Sequence, residues 1–380
     1  MKVIAFHLPQ YYPVPENDAW WGPGFTDWVN VARVRPRFRG HHQPQIPADL
    51  GFYDLRSEAA RIAQADLARR FRVGAFCFYH YWFNGTAMLE TPIVEMLRSG
   101  RPDFPFCLAW ANENWTRSWD GLENEVLLRQ DYAAYDPGAH VRWLAPFFRD
   151  PRCLRVHGKA LFLVYNPSAF PRREETVVRW REEARREGIN GLYLVSVLSH
   201  RNTLDSEAAQ RAGFDASVEF YPDPRLRVRS RWVWPLGGLA GRAWNRGVKW
   251  LGLWKRLPFV PSARVLSYEN LVEQALARAE PHATTFPCVM PSWDNSARRR
   301  TGATVIQNDD PALYGRWLQG ALKRVERFGD DEQLVFVNAW NEWAEGCHLE
   351  PDRRHGLAFL EETRRVVESD AAANRAESIA

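Results

Sequence analysis

The stretch LVFVNAWNEWAEGCHLEPD, Leu334–Asp352, begins as an apolar run and ends in a polar turn. That turn sets Glu342 and Glu345 three residues apart, with Trp340 and Trp343 beside them. Unbroken apolarity without polar alternation marks a strand buried on both faces, as in a parallel sheet. Acids, an amide and indoles at the end of such a strand predict that strand ends build a site.

The design recurs along the 380 residues. Eight apolar runs end in polar or aromatic residues: VIAFHLPQYY (3–12), VGAFCFYHYWF (73–83), FPFCLAWANENW (104–115), KALFLVYNP (159–167), GLYLVSVLSH (191–200), FDASVEFYP (214–222), FPCVMPSWDN (286–295) and LVFVNAWNEW (334–343). Between most of them lie helical stripes with a 3.6-residue period, at 55–71, 173–187, 268–280 and 312–328. Strand and helix alternating eight times predict an α/β chain folded as a (β/α)8 TIM barrel. One catalytic domain is expected over 1–366, with a tail over 367–380. A doubly wound open sheet is the rival, but it wants a glycine-rich first turn, and HLPQYYP is unlike one.

Hydrophobic residues at 46% and charged residues at 25% allow a large core and argue against disorder. A net charge of only +4 points to no polyanionic partner, so nucleic acid is not expected. Eighteen tryptophans are more than a core needs, and flat aromatic faces suit the C–H faces of sugars. The five cysteines, Cys77, Cys107, Cys153, Cys288 and Cys347, form no C-x-x-C pair and read as reduced, buried thiols. With no export signal after Met1 and no membrane-length run, a cytoplasmic location is expected, with contact at the inner membrane as an option.

Two excursions interrupt the alternation. Residues 13–50 read as a long first loop over the barrel mouth. Residues 222–267 read as an insertion between strands six and seven. From Arg225 to Tyr268 there is no acidic residue, against ten Lys/Arg and five Trp. An amphipathic helix over 240–257 suits either a packed lid or, through 225–257, a membrane-facing surface.

Strand ends supply the candidate site. His7, Tyr11, Tyr79, His80, Tyr81, Trp110, Asn112, Glu113, Trp115, Glu219, Tyr221, Trp293, Asp294, Trp340 and Asn341 are the expected substrate-binding residues. Together they suit a polyhydroxylated ligand, an oligo- or polysaccharide. Arg298, Arg299 and Arg300 read as a solvated run in preference to a contact for an acidic sugar. No G-x-S-x-G elbow or H-E-x-x-H spacing occurs, so neither a serine nucleophile, a metal nor a cofactor is expected. Carboxylates remain. Glycosidic cleavage needs one acid to protonate the leaving oxygen and a second carboxylate to assist at the sugar, and Glu342 with Glu345 is the candidate pair. Glu219 is the reserve.

The element WNEWAEGCHLEPD resembles the N-E-W-x-E-G motif of glycoside hydrolase family 99. With AFHLPQYYP, AWANENWTRSWDG and SWDNSARR it is more closely similar to the WbsX-like group associated with O-antigen and capsule gene sets. The resemblance spans about residues 3–352 and implies a (β/α)8 barrel. It also implies a retaining mechanism in which Glu342 is the base on the sugar's own 2-hydroxyl and Glu345 the general acid, then base. A 1,2-anhydrosugar is the intermediate, which requires α-manno- or α-rhamno-configured sugars. The expected function is therefore hydrolysis of an α-linked bacterial surface polysaccharide. A glycosyltransferase of polysaccharide assembly and a non-catalytic carbohydrate-binding protein are the alternatives.

Overall fold

The computed structural model describes residues 1–117, 122–233 and 263–377. Its centre is a ring of parallel strands: β1 (Lys2–His7), β2 (Ala75–Phe83), β3 (Phe106–Trp110), β4 (Lys159–Val164), β5 (Leu192–Leu198), β6 (Ala216–Glu219), β7 and β8 (Leu334–Val337). Strand β7 is broken by Pro287 into Thr285–Phe286, which pairs with β6, and Cys288–Val289, which pairs with β8. Proline cannot donate to a ladder, so only its carbonyl takes part, accepting from Phe336 N at 2.9 Å. Strand β8 pairs in turn with β1, placing Ile4 between Phe336 and Ala75. The result is a nearly closed, TIM-barrel-like sheet, as the eight apolar runs predict.

Ten α-helices lie among the described residues. In the first excursion lie α1 (Pro15–Trp21) and α2 (Asp27–Arg33). Then come α3 (Glu58–Arg70), α4 (Thr91–Ser99), α5 (Pro137–Arg149), α6 (Arg173–Arg186), α7 (Ser206–Arg211), α8 (Tyr268–Leu276), α9 (Pro311–Val325) and α10 (Ala358–Glu377). Several start on a side-chain cap: Ser57 for α3, Asp136 for α5, Ser267 for α8 and Asp310 for α9 each accept a backbone N–H of the first turn. Helices α3, α6, α8 and α9 fall on the four predicted stripes. The stretch from 367, expected as a tail, continues α10 to Glu377.

A small second sheet stands at the base of the second excursion. Ser230–Val233 runs antiparallel to Ala263–Ser267, which is parallel to Ala303–Gln307. Phe38 of the first excursion packs against its Ala263, Val265, Ala303 and Val305. The helix expected over 240–257 lies outside the described residues, as does the proposed membrane surface except for 225–233. Among the described residues no helix is long and apolar enough to cross a membrane. All five cysteines are buried and unpaired.

Candidate active site

The turn after β8 is built to hold two carboxylates on one edge. Asn341–Glu342 pairs antiparallel with Cys347–His348, and Trp343–Glu345 between them forms one turn of 3₁₀ helix. Glu342 caps this turn and Glu345 ends it, and both carboxylates reach one guanidinium. Gly346 closes the turn at φ 55°, in the left-handed region. A Cβ there would meet Asp294 N, Asp294 Cβ and Gln45 Nε2, each at 2.9 Å. The close approach lets Asp294 N donate to Glu345 O at 2.6 Å and Ser292 Oγ donate to Gly346 O at 2.7 Å. On the other side, Trp343 Nε1 donates to Glu350 Oε2 at 2.7 Å, and its ring stacks on His348 at 3.7 Å.

Arg298, from the turn after β7, ties the pair together. Its Nη2 lies 2.9 Å from Glu342 Oε2 and 2.7 Å from Asp27 Oδ2, and its Nη1 lies 2.9 Å from Glu345 Oε1. Asp27 opens α2 and is fully buried, whereas the side chains of Glu342 and Glu345 are 7% and 25% exposed. One guanidinium thus serves three carboxylates. Burial pushes Glu342 up to about 8; Arg298 opposes this, and the charges of Glu345 and Asp27 add to it. Burial also raises Glu345, again opposed by Arg298. For Arg298 itself, burial disfavours the charge, but Asp27, Glu342 and Glu345 together hold it firmly protonated. The expectation of a solvated Arg298 is therefore corrected: it is the centre of the cluster.

Tyr79 stacks on Phe6 at 5.5 Å and faces the interior, as does Tyr81 two residues on. Burial raises Tyr79, Tyr81 and Tyr165, and the charges of Glu342 and Glu345 add to it, with Glu113 the leading charge at Tyr165. Trp115 is partly exposed and meets Tyr81 edge-on at 5.2 Å. Glu113 is partly exposed, 3.5 Å from Arg201, and burial raises its carboxyl.

Other expected residues sit elsewhere, and the period of two explains which. Phe6 faces the interior beside Tyr79 and Phe336, so its neighbour His7 faces α3, with Nε2 3.2 Å from Gln64. His80 lies between Tyr79 and Tyr81 and points outward, with its Nε2 2.9 Å from His140 Nε2 of α5. Trp110 is buried against Tyr135, His140, Phe170 and Trp180. Glu219 is held at 2.9 Å by both terminal nitrogens of Arg324 on α9, and Tyr221 packs on Trp317 of the same helix. Trp340 is fully buried against Phe76. These six belong to the layer between sheet and helices, which corrects their assignment to the mouth.

A third group holds loops in place. Tyr11 donates to Asn341 O, and Asn341 bonds both backbone groups of Leu8, at 2.7 and 3.0 Å. Asn112 bonds Asn166 N and O, each at 2.7 Å. Asp294 Oδ2 accepts from Gln43 Nε2 and pairs with His41 Nε2, both at 2.6 Å, fastening the first excursion to the turn after β7. Trp293 is buried beneath that turn. Sequence reading missed Asp27 and Tyr165. A lone acid in FTDWVN was the available hint for Asp27, but nothing local links it to Arg298.

Comparison with known proteins places this geometry in two steps. The fold is that of glycoside hydrolase family 99 structures. The GH99 endo-alpha-mannosidase from Bacteroides thetaiotaomicron, bound to bis-tris-propane, superposes with TM-score 0.57 at 14% identity, covering 99% of this chain and 98% of that one. A second structure of that enzyme gives 0.54 at 14% identity, covering 98% of each chain. A glycoside hydrolase-like protein gives 0.56 at 12% identity, covering 96% and 93%. The chain itself belongs to the family described as "Glycosyltransferase WbsX", which it matches over residues 3–363. Proteins named "Uncharacterized protein WxcX" from two strains of Xanthomonas campestris pv. campestris are 40% identical over 370 residues, 96% of this chain. The chain spans about half the length of these relatives, 49% in each.

Proposed function

We propose that the chain is a retaining glycoside hydrolase acting on α-linked, manno- or rhamno-configured polysaccharide, with Glu342 and Glu345 as its catalytic pair. The observation that carries this reading is the shared Arg298, which sets two carboxylates of unequal exposure on one edge of a rigid turn. One guanidinium among three adjoining acids, two of them buried, favours a proton retained within the group, the state that general acid catalysis requires. The pair titrates as a unit.

In the first step Glu342 takes the proton of the sugar 2-hydroxyl as O2 attacks C1. Glu345, the more open of the two, protonates the departing glycosidic oxygen. The C1–O bond breaks and a 1,2-anhydrosugar forms. In the second step Glu345 takes a proton from water as that oxygen attacks C1, and Glu342 returns its proton to O2. Two inversions give net retention, and both glutamates end as they began. Arg298 stabilises the ionised member at each stage without being consumed. Partly exposed Trp115 offers a face to the sugar ring, and Tyr79, Tyr81 and Tyr165 offer hydroxyls to its oxygens.

The family's description favours a second reading, transfer from an activated sugar. Incubating purified protein with α-mannosyl and α-rhamnosyl polysaccharides, with and without nucleotide sugars, separates the two. Hydrolysis predicts new reducing ends without donor, lost in Glu345→Gln. Product that forms only with donor establishes transfer instead.

A further inference from the structure

One buried carboxylate beside the catalytic turn takes no part in the steps above. Glu350 is 2% exposed, and no Lys, Arg or His among the described residues forms an ion pair with it. An acid buried without a cation costs stability unless hydrogen-bond donors surround it.

Three donors converge on it. Trp343 Nε1 and Tyr53 Oη donate to Oε2 at 2.7 and 2.8 Å, and Gln64 Nε2 donates to Oε1 at 2.7 Å. The direction of each bond is set by its surroundings. An indole N–H can only donate. Tyr53 Oη accepts from Asn341 Nδ2 at 3.1 Å, so its own proton goes to Glu350. That amide is oriented in turn by Leu8, whose N–H donates to Asn341 Oδ1 at 2.7 Å and whose carbonyl accepts from Nδ2 at 3.0 Å. Gln64 Oε1 lies 3.2 Å from His7 Nε2, which leaves its Nε2 for Glu350. A carboxylate, with acceptors on both oxygens, suits three such donors.

These bonds reach the residues on both sides of Glu342. Trp343 follows it, and Glu350 holds that ring twice. The carboxylate takes the indole N–H, and the Glu350 carbonyl accepts from Nδ1 of His348 at 2.9 Å, the ring stacked on the indole. Asn341 precedes Glu342 and is held through Tyr53. A displacement of about 1 Å in a reacting group costs up to about a hundredfold in rate, so what pins these neighbours bears on the chemistry.

We propose that Glu350 is a positioning residue of the reaction, holding Trp343 and Asn341 so that Glu342 and Glu345 keep their places on Arg298. The inference rests on the reading that these two acids are catalytic, and it adds a residue that sets their geometry without bonding to either. The test uses the full chain with Glu350→Gln, which keeps the size of the side chain, and α-mannan or α-rhamnan oligosaccharides. In a variant that circular dichroism shows to be folded, kcat is expected to fall about tenfold to a hundredfold, with KM within about twofold of wild type. Should Glu350→Gln not fold, Tyr53→Phe, which removes the link to Asn341, takes its place with an expected kcat loss of about threefold or more. Carboxyl ¹³C NMR of glutamate-labelled protein, with Glu342 and Glu345 assigned from their Gln variants, reads the pair independently of turnover, and both resonances are expected to move in the same variant. Unchanged kcat, a loss confined to KM, or resonances of the pair that stay in place overturns the proposal. A wild-type chain that cleaves neither glycan, while the resonances move in the variant, removes the hydrolase and leaves Glu350's hold on the turn.

Discussion

Asp27→Asn removes one of the three carboxylates around Arg298 while keeping the size of the side chain. Asp27 Oδ2 and Glu342 Oε2 touch the same nitrogen at 2.7 and 2.9 Å, so they are at most about 5.6 Å apart. Two unit charges at about 5 Å, in an effective dielectric of about 20, repel by about 3 kcal/mol. At 1.36 kcal/mol per pH unit this corresponds to about 2 units, and solvent at the mouth reduces it to between about 1 and 2. The sign follows from the roles. Glu342 must be ionised to act as base, so kcat/KM rises with pH through its titration. Burial and the neighbouring acids push that titration up, and removing Asp27 relieves part of the push. The acid limb of kcat/KM, measured by reducing-end release from about pH 5 to 9, is therefore expected to move to lower pH by about 1 to 2 units. Arg298 keeps two carboxylate partners, so circular dichroism should show a folded variant. A folded variant whose limb stays in place or moves upward refutes the coupling.

Further outcomes follow from other contacts. Glu219→Gln breaks a buried pair with Arg324 and should cost about 3–5 kcal/mol in denaturant unfolding, with kcat per folded molecule unchanged; a selective loss of kcat would return Glu219 to the site. Gly346→Ala forces a Cβ to within 2.9 Å of Asp294 N, so both the melting temperature and kcat should fall; a neutral result would mean that the turn is not tightly pinned. Glu350 accepts three neutral hydrogen bonds, from Trp343, Tyr53 and Gln64, and burial pushes it from 4.5 to about 7. A raised carboxyl contributes stability below its unfolded value, and that stability is lost as pH rises through the folded one. Unfolding free energy should therefore fall by up to about 3 kcal/mol between pH 4.5 and about 7, and Glu350→Gln should flatten this slope; an identical slope in the variant counts against the shift.

The barrel was legible because parallel strands covered on both faces need continuous apolar runs, and VGAFCFYHYWF or LVFVNAWNEW can hardly be anything else. The paired acids were legible because three residues of sequence separate them. The walls of the site were read only partly. Strand ends were collected without regard to parity, yet in β2 the chain alternates Tyr79 inward, His80 outward and Tyr81 inward. The same alternation sends His7, Trp110, Glu219 and Tyr221 into the helix layer. Counting outward from one interior residue, such as Phe6, would have sorted them. The Asp27–Arg298–Glu342 link was beyond reach, since it joins residues 271 and 44 positions apart through space alone. Arg298 looked solvated because two further arginines follow it, and only the fold shows that it turns inward.

Proton NMR of the anomeric region, recorded on purified protein in the first minutes with defined α-mannan and α-rhamnan oligosaccharides and no donor, is the most direct test of the paired-glutamate claim. Wild type should release reducing ends that appear first in the α configuration, and Glu342→Gln and Glu345→Gln should each abolish them while the fold persists. First product in the β configuration, or cleavage that survives either substitution, would contradict it.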